Sequence, residues 1–154
     1  MKKCKDTYEY MLFWGTLVII GLLLTCSGMA AAQPTRKEVM DYILKHTDII
    51  CPQIVIKQAV METNCGKTGV GKTKNNLFGF KLSGTYMSFN TWEESICYYE
   101  KWQKKKLYSY LAEKNSKGID YYDFLWYIGY NDGKKYGKQG KEYINKLKEL
   151  TVKL

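Results

Sequence analysis

Apolar residues fall at Val39, Met40, Ile43 and Leu44, one stripe of a helical surface, and Thr35-Arg36-Lys37-Glu38 just after Pro34 is a capping box for that helix. The pattern predicts a first helix to about His46. A second opens near Pro52, a residue suited to the first helical turn, and ends by Cys65-Gly66, where glycine can take a left-handed position. On it Val55, Gln58 and Glu62 share a face at i, i+3 and i+7, while Ile54, Ile56, Ala59, Val60 and Met61 make the remainder apolar, so Glu62 is expected to be half-buried. LFGFKL and TYMSF flank Ser83-Gly84 and alternate like a small hairpin. Thr91-Trp92-Glu93-Glu94 is a second capping box, opening a third helix that carries Ile96, Tyr99 and Trp102. Asn115-Ser116-Lys117-Gly118 punctuates a loop, Asp120 caps a fourth helix through about Ile128, and Ile144, Leu147 and Leu150 mark a fifth. The predicted class is α+β and predominantly helical, with five helices and one short hairpin.

The N-terminus changes the picture. A basic stretch, MKKCKDTYEY, precedes the apolar run MLFWGTLVIIGLLLTC and the small-residue segment SGMAAAQ, the three regions of an export signal. Ala30 and Ala32 fit the A-x-A pattern, so cleavage is expected after Ala32. Lipoprotein-type processing at Cys26 is the alternative, and the apolar run is short of the roughly 20 residues that span a bilayer. Residues 1–32 are thus read as a signal peptide and 33–154 as one domain. Membrane contact is expected only through the signal segment.

The signal holds three lysines and two acids, leaving +8 of the chain's net +9 on the mature part. Nucleic acid, an acidic cell envelope and plain solubility all accommodate that charge, because the lysines are spread along the chain. Cys51, Cys65 and Cys97 remain, enough for one disulfide of unspecified pairing. With His46 the only histidine and no CxxC, a metal site lacks ligands, and no cofactor is expected.

GKTGVGKT, Gly66 to Thr73, matches the phosphate-loop pattern at every fixed position. Such a loop needs a strand before it and a helix after it, so that free N–H groups aim at the phosphates. Here the preceding segment reads as a helix and the following KNNLFGFKLSG as a turn into a hairpin. No apolar strand ends in an acid that could hold magnesium, and ATP is scarce outside the cytoplasm. The stretch is therefore expected to be a short, bent loop and no nucleotide site. Its Lys67, Lys72 and Lys74 either meet anionic groups of a ligand or form a solvated surface.

IVIKQAVMETNCG followed by NNLFGFK resembles the signature of the glucosaminidase family of peptidoglycan hydrolases, glycoside hydrolase family 73, which has a lysozyme-like fold. Gln58-Ala59, Glu62-Thr63, Gly66 and Asn75 to Lys81 occupy the family's places. Phe89 with Trp92 to Ile96, and Gly129-Tyr130 with Tyr143, resemble its later segments. The resemblance covers nearly all of the mature chain and implies an exported hydrolase cutting β-1,4 bonds of peptidoglycan glycan strands, with no nucleic-acid partner.

The resemblance assigns Glu62 as general acid, and the residues support this independently: protonating a leaving glycosidic oxygen at neutral pH needs a carboxyl raised by an apolar setting. A surface glutamate at a helix end is the plain alternative. Family members commonly carry a second acid in a longer β region, whereas nothing between Glu62 and Glu93 is acidic here. Cleavage would then use the substrate's own 2-acetamido group, or Tyr130 or Asp132 to place a water, and a tyrosine-assisted site is the reading favoured. Asn64-Cys65 also departs from the glycine and tryptophan of many relatives. Asn75 and Asn76 suit either a turn or hydrogen bonds to N-acetyl groups. Gln58 and Phe78 complete the candidate binding set, although a phenylalanine beside Gly79 is more often core than cleft. Among the many tyrosines, Tyr130 is the choice for sugar contact because it follows Gly129 at a helix end. The rival, from another class, is a wall-binding module that keeps the fold with a degraded site.

Overall fold

A computed structural model describes residues 33–114, 118–131 and 133–153. The signal segment, its cleavage site and Cys26 lie outside the described residues, as does Asp132. Among the described residues six helices and one hairpin follow in order: α1 Arg36–His46, α2 Pro52–Thr63, α3 Gly69–Lys74, β1 Lys81–Leu82, β2 Thr85–Tyr86, α4 Trp92–Lys114, α5 Tyr121–Tyr127 and α6 Lys138–Glu149. The class is α+β and mostly helical.

Local chemistry explains most of the boundaries. The Thr35 hydroxyl accepts from Glu38 N–H at 3.1 Å while the Glu38 carboxylate accepts from Thr35 N–H at 2.7 Å, closing the predicted capping box of α1. Its stripe is narrower than expected, because Val39, Met40 and Ile43 are buried but Leu44 is exposed. At α4 only half of the second box forms. Thr91 accepts from Glu94 N–H, but the Glu94 carboxylate turns one residue upstream to Asn90 N–H at 2.9 Å. Asp120 caps α5 through Tyr122 and Asp123 N–H. In the hairpin Lys81 pairs with Tyr86 and Leu82 with Thr85, and Ser83 and Gly84 both take positive φ, as a two-residue turn with the native twist demands.

One expectation is overturned. The glycine-rich stretch is not a bare loop but contains α3, which ends where Asn75 adopts φ 51°. The reason is tertiary. A Cβ on Gly71 would lie 2.6 Å from the Thr63 Cβ and 2.8 Å from Gly66 Cα, so only glycine lets this helix lie against the end of α2. Thr63 ties the same corner, donating to Leu77 C=O and accepting from Gly66 N–H. A helix, α2, precedes the stretch and a hairpin follows it, so the strand that a phosphate loop requires is replaced by α2.

α2 runs through the centre, packed against α1, α3 and α6, while α4 packs on α1 and α5. Between α2 and α4 the core holds a polar chain. The Tyr99 hydroxyl donates to Gln58 Oε1 at 2.6 Å and pairs with the Tyr121 hydroxyl, and Gln103 Nε2 donates to the Tyr121 oxygen and to Ile50 C=O. Because these groups are buried and bonded to one another, they fix the relative register of the two helices. Cys51 and Cys65 are free thiols and Cys97 is disulfide-bonded, so no pair among these three cysteines closes.

Candidate active site

Glu62 stands in the last turn of α2, and Asn64 stops the helix immediately after it by taking φ 50° and donating its N–H back to Ala59 and Val60 C=O. The carboxyl opens into a cleft of about 640 Å³ lined also by Phe78, Gly79, Phe80, Trp102 and Tyr130, within the range of small-ligand sites. Half-burial pushes the Glu62 carboxyl above its ordinary value near 4.5, and the nearby Tyr143 phenol pulls it partway back. Gly79 occupies the opposite wall at φ 67°, a conformation glycine adopts without strain, and a Cβ there would sit 3.6 Å from Glu62 Oε2. With hydrogen in that place, the face of the carboxyl stays open.

Behind the acid, Tyr143 of α6 is almost fully buried. Burial, and then the negative charge of Glu62, push its phenol well above the ordinary tyrosine range. Its hydroxyl faces Glu62, Gln58 and Tyr130 at interaction range without closing a hydrogen bond of good geometry, and Gln58 Nε2 beside it is likewise unpaired. Gln58 itself belongs to the core, fully buried, with its oxygen held by Tyr99.

Tyr130 is carried by the turn that follows α5. Gly129 takes φ 65° there, and Tyr130 N–H donates to Leu125 C=O at 3.0 Å while Gly133 N–H donates to Gly129 C=O at 2.8 Å. The Tyr130 ring packs edge-on to Trp102 and against Tyr143, with centroids 5.9 and 5.3 Å apart. Its hydroxyl donates to Phe78 C=O across a long 3.4 Å, and burial together with the charges of Tyr143 and Glu62 raises its pKa well above 10. Asn131 and Gly133, the neighbours of Asp132, line the cleft.

The two asparagines are engaged with the protein. Asn75 donates to Phe89 and Asn90 C=O, and the buried Asn76 donates to Phe80 and Met87 C=O while accepting from Phe80 N–H. They hold the turn into the hairpin, and all four of their N–H donors are occupied. Phe78 is buried but reaches the cleft wall. Phe80, Tyr86, Lys81, Lys106 and Trp102 also line the cleft and were not singled out from the sequence as site residues. Trp102 follows Tyr99 by one helical turn on α4, a spacing that reads equally well as core. Of the described lining residues Glu62 is the sole acid, while Lys67, Lys72 and Lys74 lie outside the cleft. Among the described residues no cluster of three His, Cys, Asp or Glu could hold a metal ion.

The sequence model of one family, the glucosaminidases, described as mannosyl-glycoprotein endo-beta-N-acetylglucosaminidase, matches residues 38–149. That span holds α2, the hairpin, α4 and the turn bearing Tyr130, and so the whole described cleft. Searches of curated proteins and of solved structures found no match for the chain.

Proposed function

Because the chain belongs to the glucosaminidase family, a membership that supports a function of the peptidoglycan-hydrolase type, we propose that it is an exported hydrolase that cleaves the β-1,4 bonds of peptidoglycan with Glu62 as general acid. The observation that carries this reading is a single half-buried carboxyl, raised by desolvation, at the floor of an aromatic cleft. A carboxyl that stays protonated above its usual range can give its proton to the glycosidic oxygen as the C1–O bond breaks. The 2-acetamido oxygen of the same sugar then bonds to C1. Water opens that ring, and the Glu62 carboxylate takes the water's proton, which restores the acid. Phe80, Trp102 and Tyr86 offer ring faces for sugars along the path.

In this scheme the Tyr130 hydroxyl steadies the acetamido group. Its bond to Phe78 C=O is long and weak, and its oxygen lone pairs remain able to accept the acetamido N–H. Tyr130→Phe is therefore expected to lower turnover roughly tenfold, the loss of one hydrogen bond in a dry site, with little change in melting temperature. Unchanged lysis in that variant beside a collapse in Asp132→Asn would transfer the role to Asp132.

The rival reading, a wall-binding module without activity, is favoured by the solitary acid among the described lining residues. Incubating the purified protein with peptidoglycan and mass-analysing the soluble fragments separates the two. New N-acetylglucosamine reducing ends support hydrolysis, and intact binding without fragments supports the module. For export, the basic and apolar N-terminal regions predict secreted protein whose N-terminal residue is Gln33. Edman sequencing of protein recovered from outside the membrane checks this, and retention of Met1 on that protein would refute it.

A further inference from the structure

Among the described residues, the charged side chains lining the cleft apart from Glu62 are Lys81 on β1 and Lys106 on α4. Both are exposed, and neither takes part in an ion pair among the described residues. Some surface cations are neutralised in place, as Lys45 is by Asp41, Lys104 by Glu100 and Lys114 by Asp123. The described part of the cleft thus presents two cations without an ion pair where a ligand must lie. Lys81 is also held in place. Its ammonium sits 4.5 Å from the centre of the Tyr86 ring, its partner across the hairpin, so charge and ring are presented together.

Peptidoglycan strands alternate a neutral sugar with one that carries an acidic substituent. On that chemistry, and resting on the function proposed above, we infer that Lys81 and Lys106 form an anion subsite that receives a carboxylate of the substituted sugar and so sets which glycosidic bond meets Glu62. The carboxylate belongs either to the lactyl ether of a bare sugar or to the peptide attached there, since attachment converts the lactyl carboxyl to an amide. The trimmed hairpin therefore contributes a cation to the cleft where the resemblance led one to look for a second acid.

Binding tests this without turnover. Full-length Glu62→Gln protein is titrated with peptide-bearing strands, with strands stripped to bare lactyl groups, and with uncharged N-acetylglucosamine oligomers. Adding Lys81→Met and Lys106→Met is expected to weaken binding of a carboxylate-bearing strand roughly tenfold, as two exposed ion pairs would, and to flatten its salt dependence. Binding of the uncharged oligomer should stay within twofold, and arginine at both positions should restore affinity. Loss confined to stripped strands assigns the lactyl carboxylate, and loss confined to peptide-bearing strands assigns the peptide. Equal loss on all three ligands, or none on any, overturns the subsite while leaving the sugar cleft standing. Failure of the Glu62→Gln parent to bind any of the three overturns the proposed function, and the subsite with it.

Discussion

Replacing Glu62 by Gln is expected to abolish at least about 99 in 100 parts of the wall-lytic rate, the roughly 100-fold or greater loss that follows removal of a general acid, and to leave a protein at least as stable as the parent at pH 7. The second half of the expectation follows from burial. Desolvation raises the folded carboxyl above its ordinary value, so the folded state binds this proton more tightly than the unfolded chain does. The stability that the protonated group allows is fully present below the unfolded pKa of about 4.3 and is lost as pH rises through the higher folded value. Glutamine cannot ionise and escapes that loss. Denaturant midpoints of the two proteins should therefore separate in favour of Glu62→Gln as pH rises across that window. A variant that keeps full lysis, or one that is unfolded at pH 7, would remove Glu62 from its assigned role.

Gly129→Ala is expected to destabilise the protein by about 3 kcal/mol and to lower turnover with it. At φ 65° any side chain is strained, and the added Cβ would meet the backbone of Lys134, with its N and C each 2.6 Å away. Backbone cannot swing aside as a side-chain tip can. The turn must open, which pulls the Tyr130 ring from Trp102 and Tyr143 and breaks the Gly133 N–H to Gly129 C=O bond. Tyr130→Phe keeps all of those ring contacts, so the two variants separate loop geometry from hydroxyl chemistry. Urea unfolding measures the first effect, and a cost below about 1 kcal/mol would show that the turn yields freely.

The sequence made the helices bearing local start signals legible, because a capping box or a proline in the first turn acts within four residues. Thr35 with Glu38, Pro52 and Asp120 each mark a helix start that the structure contains. The half-burial of Glu62 was legible for a related reason, since α2 is apolar nearly all round and leaves a carboxylate no fully wet face. α3 was not. Two glycines of GKTGVGKT, Gly69 and Gly71, fall within α3 and cost helix propensity on the order of 1 kcal/mol each, and close packing of Gly71 on Thr63 and Gly66 offsets it. That contact joins segments whose approach no local pattern encodes.

The cleft divides in the same way. Glu62 and Tyr130 stand beside left-handed residues, Asn64 and Gly129, that end their helices and turn the chain toward the opening. By contrast, three of the four carbonyls to which Asn75 and Asn76 donate are supplied by the returning side of the hairpin, at Met87, Phe89 and Asn90. Turn and ligand roles look identical until that return is in place. Tyr143 entered the sequence reading only as part of a family segment, and its approach to Glu62 depends on α6 packing against α2. Lys81 and Lys106 look like any of the chain's many lysines until the fold sets them in the cleft, with no ion pair among the described residues.

The proton donor is most directly identified by measuring kcat/KM for wall lysis against pH in the parent and in Glu62→Gln. The basic limb of that profile reports the acid of the free enzyme. With Glu62 as donor, the parent limb lies above 4.5, in the direction that burial drives the carboxyl, and the residual rate of Glu62→Gln shows no such limb. A basic limb that persists unchanged in Glu62→Gln would contradict the account, because the titrating donor would then be another group.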